Sequence, residues 1–172
     1  SMIALVMTLF IIGCTPVQQE CPQLTCPSVK CPEVPVVSPQ EMVFVYFIDV
    51  GQGDSILIKS GETEMLLDCG KNSASPIVID FLRLHQVGDL EYLLITHPDS
   101  DHLGSCDDIL QQFKTHSVIV NGESSDTKSY QEVIAELDTE QYIIANKGNA
   151  WNIGPAELRV IQANNGLSDS NE

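Results

Sequence analysis

The residues of this chain best suited to chemistry lie in one hexapeptide, His97-Pro98-Asp99-Ser100-Asp101-His102. Its two imidazoles and two carboxylates are groups that Zn²⁺ and Mn²⁺ accept as ligands. Bound metal lowers the pKa of water from about 15.7 towards 7, and a pair of metals can stabilise the attacking and leaving oxygens of a hydrolysis. The hexapeptide therefore predicts a metal-dependent hydrolytic site. The alternative is a turn with a helix-capping aspartate and two incidental histidines.

The elements around the hexapeptide are predicted from hydrophobic spacing. Leu90 to Thr96 is a short, almost wholly apolar run, typical of a strand buried on both faces, and residues 102–113 can form a helix. Further strands are predicted at 43–50, 55–59, 65–67, 117–120 and 158–161, and further helices at 76–86, capped by Ser75, and at 128–137. This order predicts a layered α/β fold in which early antiparallel strands give way to strand–helix alternation.

Composition and charge restrict the function classes. The 172 residues are 43% hydrophobic, which is enough for a core and excludes wholesale disorder. The formal net charge is −16, from 24 acidic and 8 basic side chains, which argues against binding DNA through a broad basic face. Any chemistry on nucleic acid would therefore depend on metal ions.

The N-terminus is predicted to be an export signal and a membrane tether. Residues 1–13 contain an apolar run of the length found in signal peptides, shorter than the roughly 18 to 20 residues that span a bilayer. The run ends in Ile11-Ile12-Gly13-Cys14, which resembles a lipobox with Cys14 as the lipidated residue. The alternative is a buried strand or helix. We expect an exported protein, at the cell surface or in the periplasm, that a lipid anchor holds on the membrane.

Residues 14–42 are predicted to be a linker between this anchor and a domain that comprises residues 43–172. The segment is rich in proline, which fixes φ and removes backbone donors, so an extended spacer is expected. The dipeptide Cys-Pro recurs there every five residues, at Cys21, Cys26 and Cys31. This spacing matches no known zinc site. We assign these cysteines no catalytic role.

Three blocks of the domain occur in a distinctive order. They are Asp-Val-Gly-Gln-Gly-Asp-Ser at 49–55, Leu-Leu-Asp-Cys-Gly at 66–70 and Thr-His-Pro-Asp-Ser-Asp-His-Leu-Gly at 96–104. Together they resemble the metallo-β-lactamase-fold hydrolases, and most closely the hydrolase domain of the competence protein ComEC. The resemblance implies an αββα sandwich, of which this chain would form the first half only.

The resemblance also implies ligands for one or two divalent ions. His97 and Asp99 would bind the first metal, and Asp101, the implied catalytic residue, would bind the second together with His102. Asp99 stands where most relatives have histidine, and this harder oxygen ligand makes Mn²⁺ as suitable as Zn²⁺. Asp68 is expected either to orient a ligating histidine or to be a buried capping aspartate. Three further residues are expected to shape a loop near the metals: Asp49, Gln52 and Asp54.

A complete site of this family needs two later histidines and a bridging aspartate, yet no histidine follows His116. We therefore expect the chain to be the N-terminal portion of a longer protein, with a sheet face left uncovered. His85 and His116 are interpreted as structural. Cys69 and Cys106 are interpreted as small buried residues, with a disulfide between them as the alternative in an exported protein.

The function expected from these observations is hydrolysis of phosphodiesters, either small molecules or nucleic acids including DNA, by a metal-activated water. The net charge argues against long polyanions. Two alternatives stay open: hydrolysis of lactone, thioester or β-lactam substrates on the same fold, and a non-catalytic lipoprotein that binds at a surface. No protein partner is predicted.

Overall fold

The computed structural model describes residues 38, 42–138 and 140–163. The predicted signal segment, Cys14 and nearly all of the linker lie outside the described residues. In the part of the chain that the structure describes, no helix has both the length and the apolar character needed to cross a bilayer.

The described domain is built from eight strands, four helices and a 3₁₀ turn at Asn72–Ala74. In chain order the elements are β1 (Phe44–Phe47), β2 (Ile56–Ser60), β3 (Thr63–Leu67), α1 (Ser75–Leu84), β4 (Leu90–Ile95), α2 (Ser100–Leu103), α3 (Cys106–Gln112), β5 (Thr115–Val120), α4 (Lys128–Ala135), β6 (Tyr142–Ile144), β7 (Ala150–Ile153) and β8 (Ala156–Arg159).

The first six strands form one sheet in the order β1-β2-β3-β4-β5-β6. Short loops join β1, β2 and β3, which pair antiparallel. The remaining pairs are parallel, and each crossover from β3 to β6 contains a helix. The predicted change from antiparallel strands to strand–helix alternation is confirmed. It matters for function because it brings the carboxyl ends of β3, β4 and β5 to one edge of the sheet.

Each face of the sheet has its own core. The larger core lies under the helices and contains fully buried side chains such as Leu66, Leu82 and Leu93. On the opposite face, cross-strand pairing places one apolar residue from every strand in a single row: Phe47, Ile56, Leu67, Leu94, Ile119 and Ile143. The β7–β8 hairpin packs on the middle of this face through Ile153, so the face expected to be uncovered is partly covered.

Several predicted elements differ from those observed. The helix predicted over 102–113 is two helices, because Ser105 has non-helical dihedrals and becomes the N-cap residue of α3. Helix α1 begins at Ser75 with Ala74 as its N-cap residue, so Ser75 is not the cap. Strands β6 and β7 were not predicted, and the last strand begins at Ala156 because Gly154 and Pro155 form a two-residue hairpin loop.

Cys69 and Cys106 form a disulfide, and both are fully buried. The disulfide, which the sequence left as the alternative to two free buried thiols, is therefore observed. The bond links residues 37 positions apart, for which the chain-entropy relation gives roughly 4 kcal/mol of stabilisation. His85 packs against Tyr46 and Phe81 as a structural residue, and His116 lies 3.4 Å from the Asp89 carboxylate at the surface.

Candidate metal site

The hexapeptide begins where β4 ends. Strand β4 runs parallel to β3, so the residue that follows β3, Asp68, and the residue that follows β4, Thr96, are neighbours. The hexapeptide then turns into the four-residue helix α2, which carries Asp101 and His102. The loop between β1 and β2 approaches from the antiparallel side of the sheet. Three separate chain segments therefore meet at one edge.

Asp68 is the buried centre of this edge, with a side chain only 4% exposed. Its Oδ1 accepts a hydrogen bond from the Thr96 backbone N–H at 2.8 Å, and its Oδ2 accepts one from the Thr96 hydroxyl at 2.6 Å. The same Oδ2 lies 2.8 Å from Nδ1 of His102. Asp68 has a φ of 54°, a left-handed conformation that is uncommon outside glycine and that clusters at functional sites.

These contacts determine which nitrogen of each imidazole is available. The Thr96 hydroxyl has one proton and donates it to Asp68, so its 2.9 Å contact with His97 must be donated by Nδ1–H of that ring. A carboxylate can only accept, so Nδ1 of His102 also carries a proton. In each ring Nε2 is therefore the nitrogen that is not used by these hydrogen bonds, and it is the one through which a neutral imidazole could bind a metal. The ring centroids are 3.9 Å apart.

The loop between β1 and β2 lies directly against the hexapeptide. Nε2 of Gln52 donates to Oδ2 of Asp101 at 3.2 Å, and this hydrogen bond is the main reason that the pKa of the Asp101 carboxyl is lowered. Gly53 has a φ of +96°, and a Cβ there would lie 1.7 Å from the carbonyl oxygen of Asp101. Only glycine fits this approach, which explains the second glycine of the block at 49–55.

The remaining aspartates occupy different positions. Oδ2 of Asp54 lies 3.8 Å from Nδ1 of His102, and Asp54, Asp68 and His102 can bring three ligand atoms within 4.8 Å of one another. Oδ1 of Asp49 accepts a hydrogen bond from the Gly51 backbone N–H at 3.2 Å, so it shapes its own loop. Asp99 occupies the N-cap position of α2 but makes no capping hydrogen bond with its side chain, contrary to the capping alternative.

The group of Asp54, Asp68 and His102 overlaps the predicted ligand set only at His102. Both oxygens of Asp68 already accept hydrogen bonds, and one of them holds the ring that would bind a metal. This arrangement suits an orienting carboxylate better than a ligand. Asp54 is largely exposed and retains free oxygens, so it can reach an ion at this edge.

The model of the metallo-beta-lactamase superfamily matches residues 48–155, which is more than half of the chain. The chain belongs to the metallo-β-lactamase superfamily. The structure is also similar to metallo-β-lactamase SMB-1 bound to 2-mercaptoethanesulfonate, with a TM-score of 0.52 and 18% identity over 71% of this chain and 53% of that one. For the Rm3 metallo-β-lactamase the TM-score is 0.51, with 20% identity over 67% and 47%.

A third similar structure is MEM-A1, a subclass B3 metallo-β-lactamase isolated from a soil metagenome library, with a TM-score of 0.52 and 17% identity over 66% of this chain and 47% of that one. At these identities the likeness shows the fold. The chain spans about half the length of these structures. The predicted α/β fold is thus confirmed as a partial metallo-β-lactamase domain.

The side chains at this edge fit the divalent metals that this superfamily typically binds. Nε2 of His97 and of His102 lie near carboxylates, a mixed set of ligand types that suits Zn²⁺ and Mn²⁺. In the described part of the chain, no Lys or Arg forms an ion pair with Asp54, Asp99 or Asp101. These carboxylates therefore remain available to a cation.

Thr96 is the residue whose contribution the sequence analysis missed. It belongs to the block at 96–104 but received no role there. A signal was available, because a hydroxyl residue between a buried strand and a histidine is placed to bond to that histidine.

Proposed function

We propose that this domain is a metal-dependent hydrolase of phosphodiesters. The observation that carries the proposal is that the hydrogen bonds of His97 and His102 engage Nδ1 and leave Nε2 of both rings beside carboxylates that no Lys or Arg of the described residues neutralises. The phosphodiester class is supported by the ComEC-like blocks and by Asp99, whose oxygen favours harder metals. Because the chain spans about half of the similar structures, the activity is proposed for the whole protein.

A divalent ion bound here supplies Lewis acidity and lowers the pKa of water. In this proposal His97 and His102 hold the metal through Nε2, with oxygens from Asp99 and Asp101. Asp68 and Thr96 keep both rings in the ligating tautomer. Gln52 orients the Asp101 carboxylate by its hydrogen bond and lowers the pKa of that carboxyl. Asp49 and Asp54 shape the loop that carries Gln52.

The test is an assay of purified full-length protein, loaded with Mn²⁺ or Zn²⁺, on bis-p-nitrophenyl phosphate and on a chromogenic β-lactam. Hydrolysis of the diester alone is expected. Hydrolysis of the lactam alone would contradict the phosphodiester proposal and favour the second candidate, since the similar structures are named as metallo-β-lactamases. Because this chain carries a net charge of −16, we expect its edge of the site to repel long DNA more than small diesters at low ionic strength.

Replacing Asp68 by asparagine should lower the affinity for divalent metal by about 10- to 100-fold. The amide has one acceptor oxygen instead of two and cannot hold Thr96 and His102 together. Affinity is measured by competition with a chromogenic chelator. The matched control is Asp126→Asn, which removes the same charge from an exposed loop residue. Equal affinities in the two variants would exclude an orienting role for Asp68.

We also propose that the protein is exported and anchored to a membrane by lipid on Cys14, which lies outside the described residues. The lipobox-like sequence supports this, and so does the Cys69–Cys106 disulfide, because disulfides persist in oxidising compartments. In the producing cell, Cys14→Ser should move the protein from the membrane to the soluble fraction, whereas Cys21→Ser should not. Membrane attachment that survives Cys14→Ser would disprove the anchor.

A further inference from the structure

We propose that the Cys69–Cys106 disulfide is a positioning element of the metal site, which holds Asp68 against His102 and thereby raises the affinity for divalent metal. This inference rests on the proposed function. It gives the disulfide a role beyond general stability, and it follows from where the two cysteines lie.

The disulfide is attached directly to the orienting contact. Cys69 follows Asp68 in the chain, and its backbone N–H donates to the carbonyl oxygen of His102 at 2.6 Å. Cys106 is the first residue of α3, just beyond the helix that carries His102. The covalent bond therefore joins the segment of Asp68 to the segment of His102 at almost the same place as the carboxylate–imidazole contact.

Neither segment is well held by its own secondary structure. Helix α2 has only four residues, fewer than a helix needs to be stable by itself. On the other side, Asp68 has a φ of 54°, an unfavourable conformation for a non-glycine residue that neighbouring structure must enforce. The position of His102 relative to Asp68 thus depends on cross-links between the two segments.

Two further hydrogen bonds join the same two segments. The hydroxyl of Ser105 donates to the carbonyl oxygen of Lys71 at 2.6 Å, and the backbone N–H of Ser105 donates to the carbonyl oxygen of Gly70 at 3.3 Å. The disulfide is the covalent member of this set of cross-links and lies next in the chain to Asp68. Both cysteines are fully buried, so the bond packs against fixed neighbours and transmits its constraint.

The native chain allows a test by thermodynamic linkage. Reduction by glutathione converts the protein disulfide and two glutathione thiols into two protein thiols and one glutathione disulfide. If the disulfide raises metal affinity by some factor, saturating metal must favour the disulfide by the same factor. With saturating Mn²⁺ we expect the ratio of disulfide to dithiol protein, measured by alkylation and mass spectrometry, to rise about 10- to 100-fold. An unchanged ratio would overturn the inference.

A variant pair separates positioning from stability. Cys69→Ala/Cys106→Ala should bind Mn²⁺ about 10- to 100-fold more weakly than the parent. Val78→Ala removes buried side chain from α1, which does not carry the site, and should lose stability while keeping metal affinity. An equal loss of affinity in both would show that the disulfide acts only through stability and would overturn the inference.

A metal-free measurement separates this inference from the proposed function. Imidazole ¹⁵N spectra of the metal-free chain should show a slowly exchanging Nδ1–H for His102 in the disulfide form, and an averaged ring in the double alanine variant. The same protected Nδ1–H in both forms would refute positioning by the disulfide. A folded, oxidised full-length protein that binds neither Mn²⁺ nor Zn²⁺ would instead overturn the proposed function, and the spectra would still decide the positioning role.

Discussion

Replacing Asp101 by asparagine is expected to strip the protein of divalent metal and to lower its hydrolytic rate by more than about 100-fold, the upper range for outer partners of a metal site. Asp101 is a proposed ligand whose Oδ2 accepts a hydrogen bond from Gln52. Asparagine removes the negative charge that the metal requires. The asparagine side chain also has only one acceptor oxygen. Gln52 can therefore donate to it only when that oxygen, and not the NH₂ group, faces Gln52.

The measurements are metal content by elemental analysis and turnover of bis-p-nitrophenyl phosphate by the full-length protein. Asp126→Asn is again the control, because it makes the same chemical change on an exposed loop. Asp101 is only partly buried and carries no ion pair with Lys or Arg, so the thermal stability of the metal-free variant should stay close to that of the parent. Full metal content and full turnover in Asp101→Asn would remove Asp101 from the proposed site.

Replacing Gly53 by alanine is expected to destabilise the fold by about 3 kcal/mol and to weaken metal binding at the same time. Two costs add: a left-handed φ is unfavourable for alanine by about 1 to 2 kcal/mol, and overpacking costs about 1 to 3 kcal/mol more. The overlap is with a backbone atom, because the new Cβ would lie 1.7 Å from the Asp101 carbonyl oxygen. Relief of this overlap must move either the loop or the hexapeptide.

Gly51→Ala is a closely matched control. Gly51 lies in the same loop with a similar φ of +77°, but a Cβ there meets no atom within 4 Å. It should therefore cost only about 1 to 2 kcal/mol and leave metal affinity unchanged. Urea unfolding and chelator competition on both variants give the comparison. If Gly53→Ala behaves like Gly51→Ala in both measurements, the contact between the two loops is not needed to position Asp101.

Hydrophobic spacing was sufficient to predict the strands and helices that have a strong pattern. The apolar run at 90–96 contains β4, the alternating segment at 43–50 contains β1, and the segments at 55–59 and 65–67 overlap β2 and β3. The prediction failed where the pattern is short or a tertiary contact intervenes. Strand β6 has three residues, too few for a period to be read, and the helix break falls where Gly104 lies close to Asn72, a residue distant in the sequence.

The candidate site shows the same division. The sequence identified the groups able to bind a metal, because their types and their spacing in the hexapeptide are local properties. It left the role of Asp68 open between an orienting carboxylate and a cap, and it assigned no role to Thr96. The roles of Asp68 and Thr96 depend on the hydrogen bonds between them. These bonds form because the parallel pairing of β3 and β4 places the residues that follow the two strands side by side.

The sequence by itself therefore determined the fold class, the order of the strongly patterned elements and the chemistry available in the hexapeptide, since all three are encoded by neighbouring residues. The tertiary structure alone decided which nitrogen of each histidine is free, why Gly53 must be glycine and that Cys69 and Cys106 are joined. The physical reason is that a proton on an imidazole, an overlap of atoms and a bond between sulfurs each depend on distances between segments far apart in the chain.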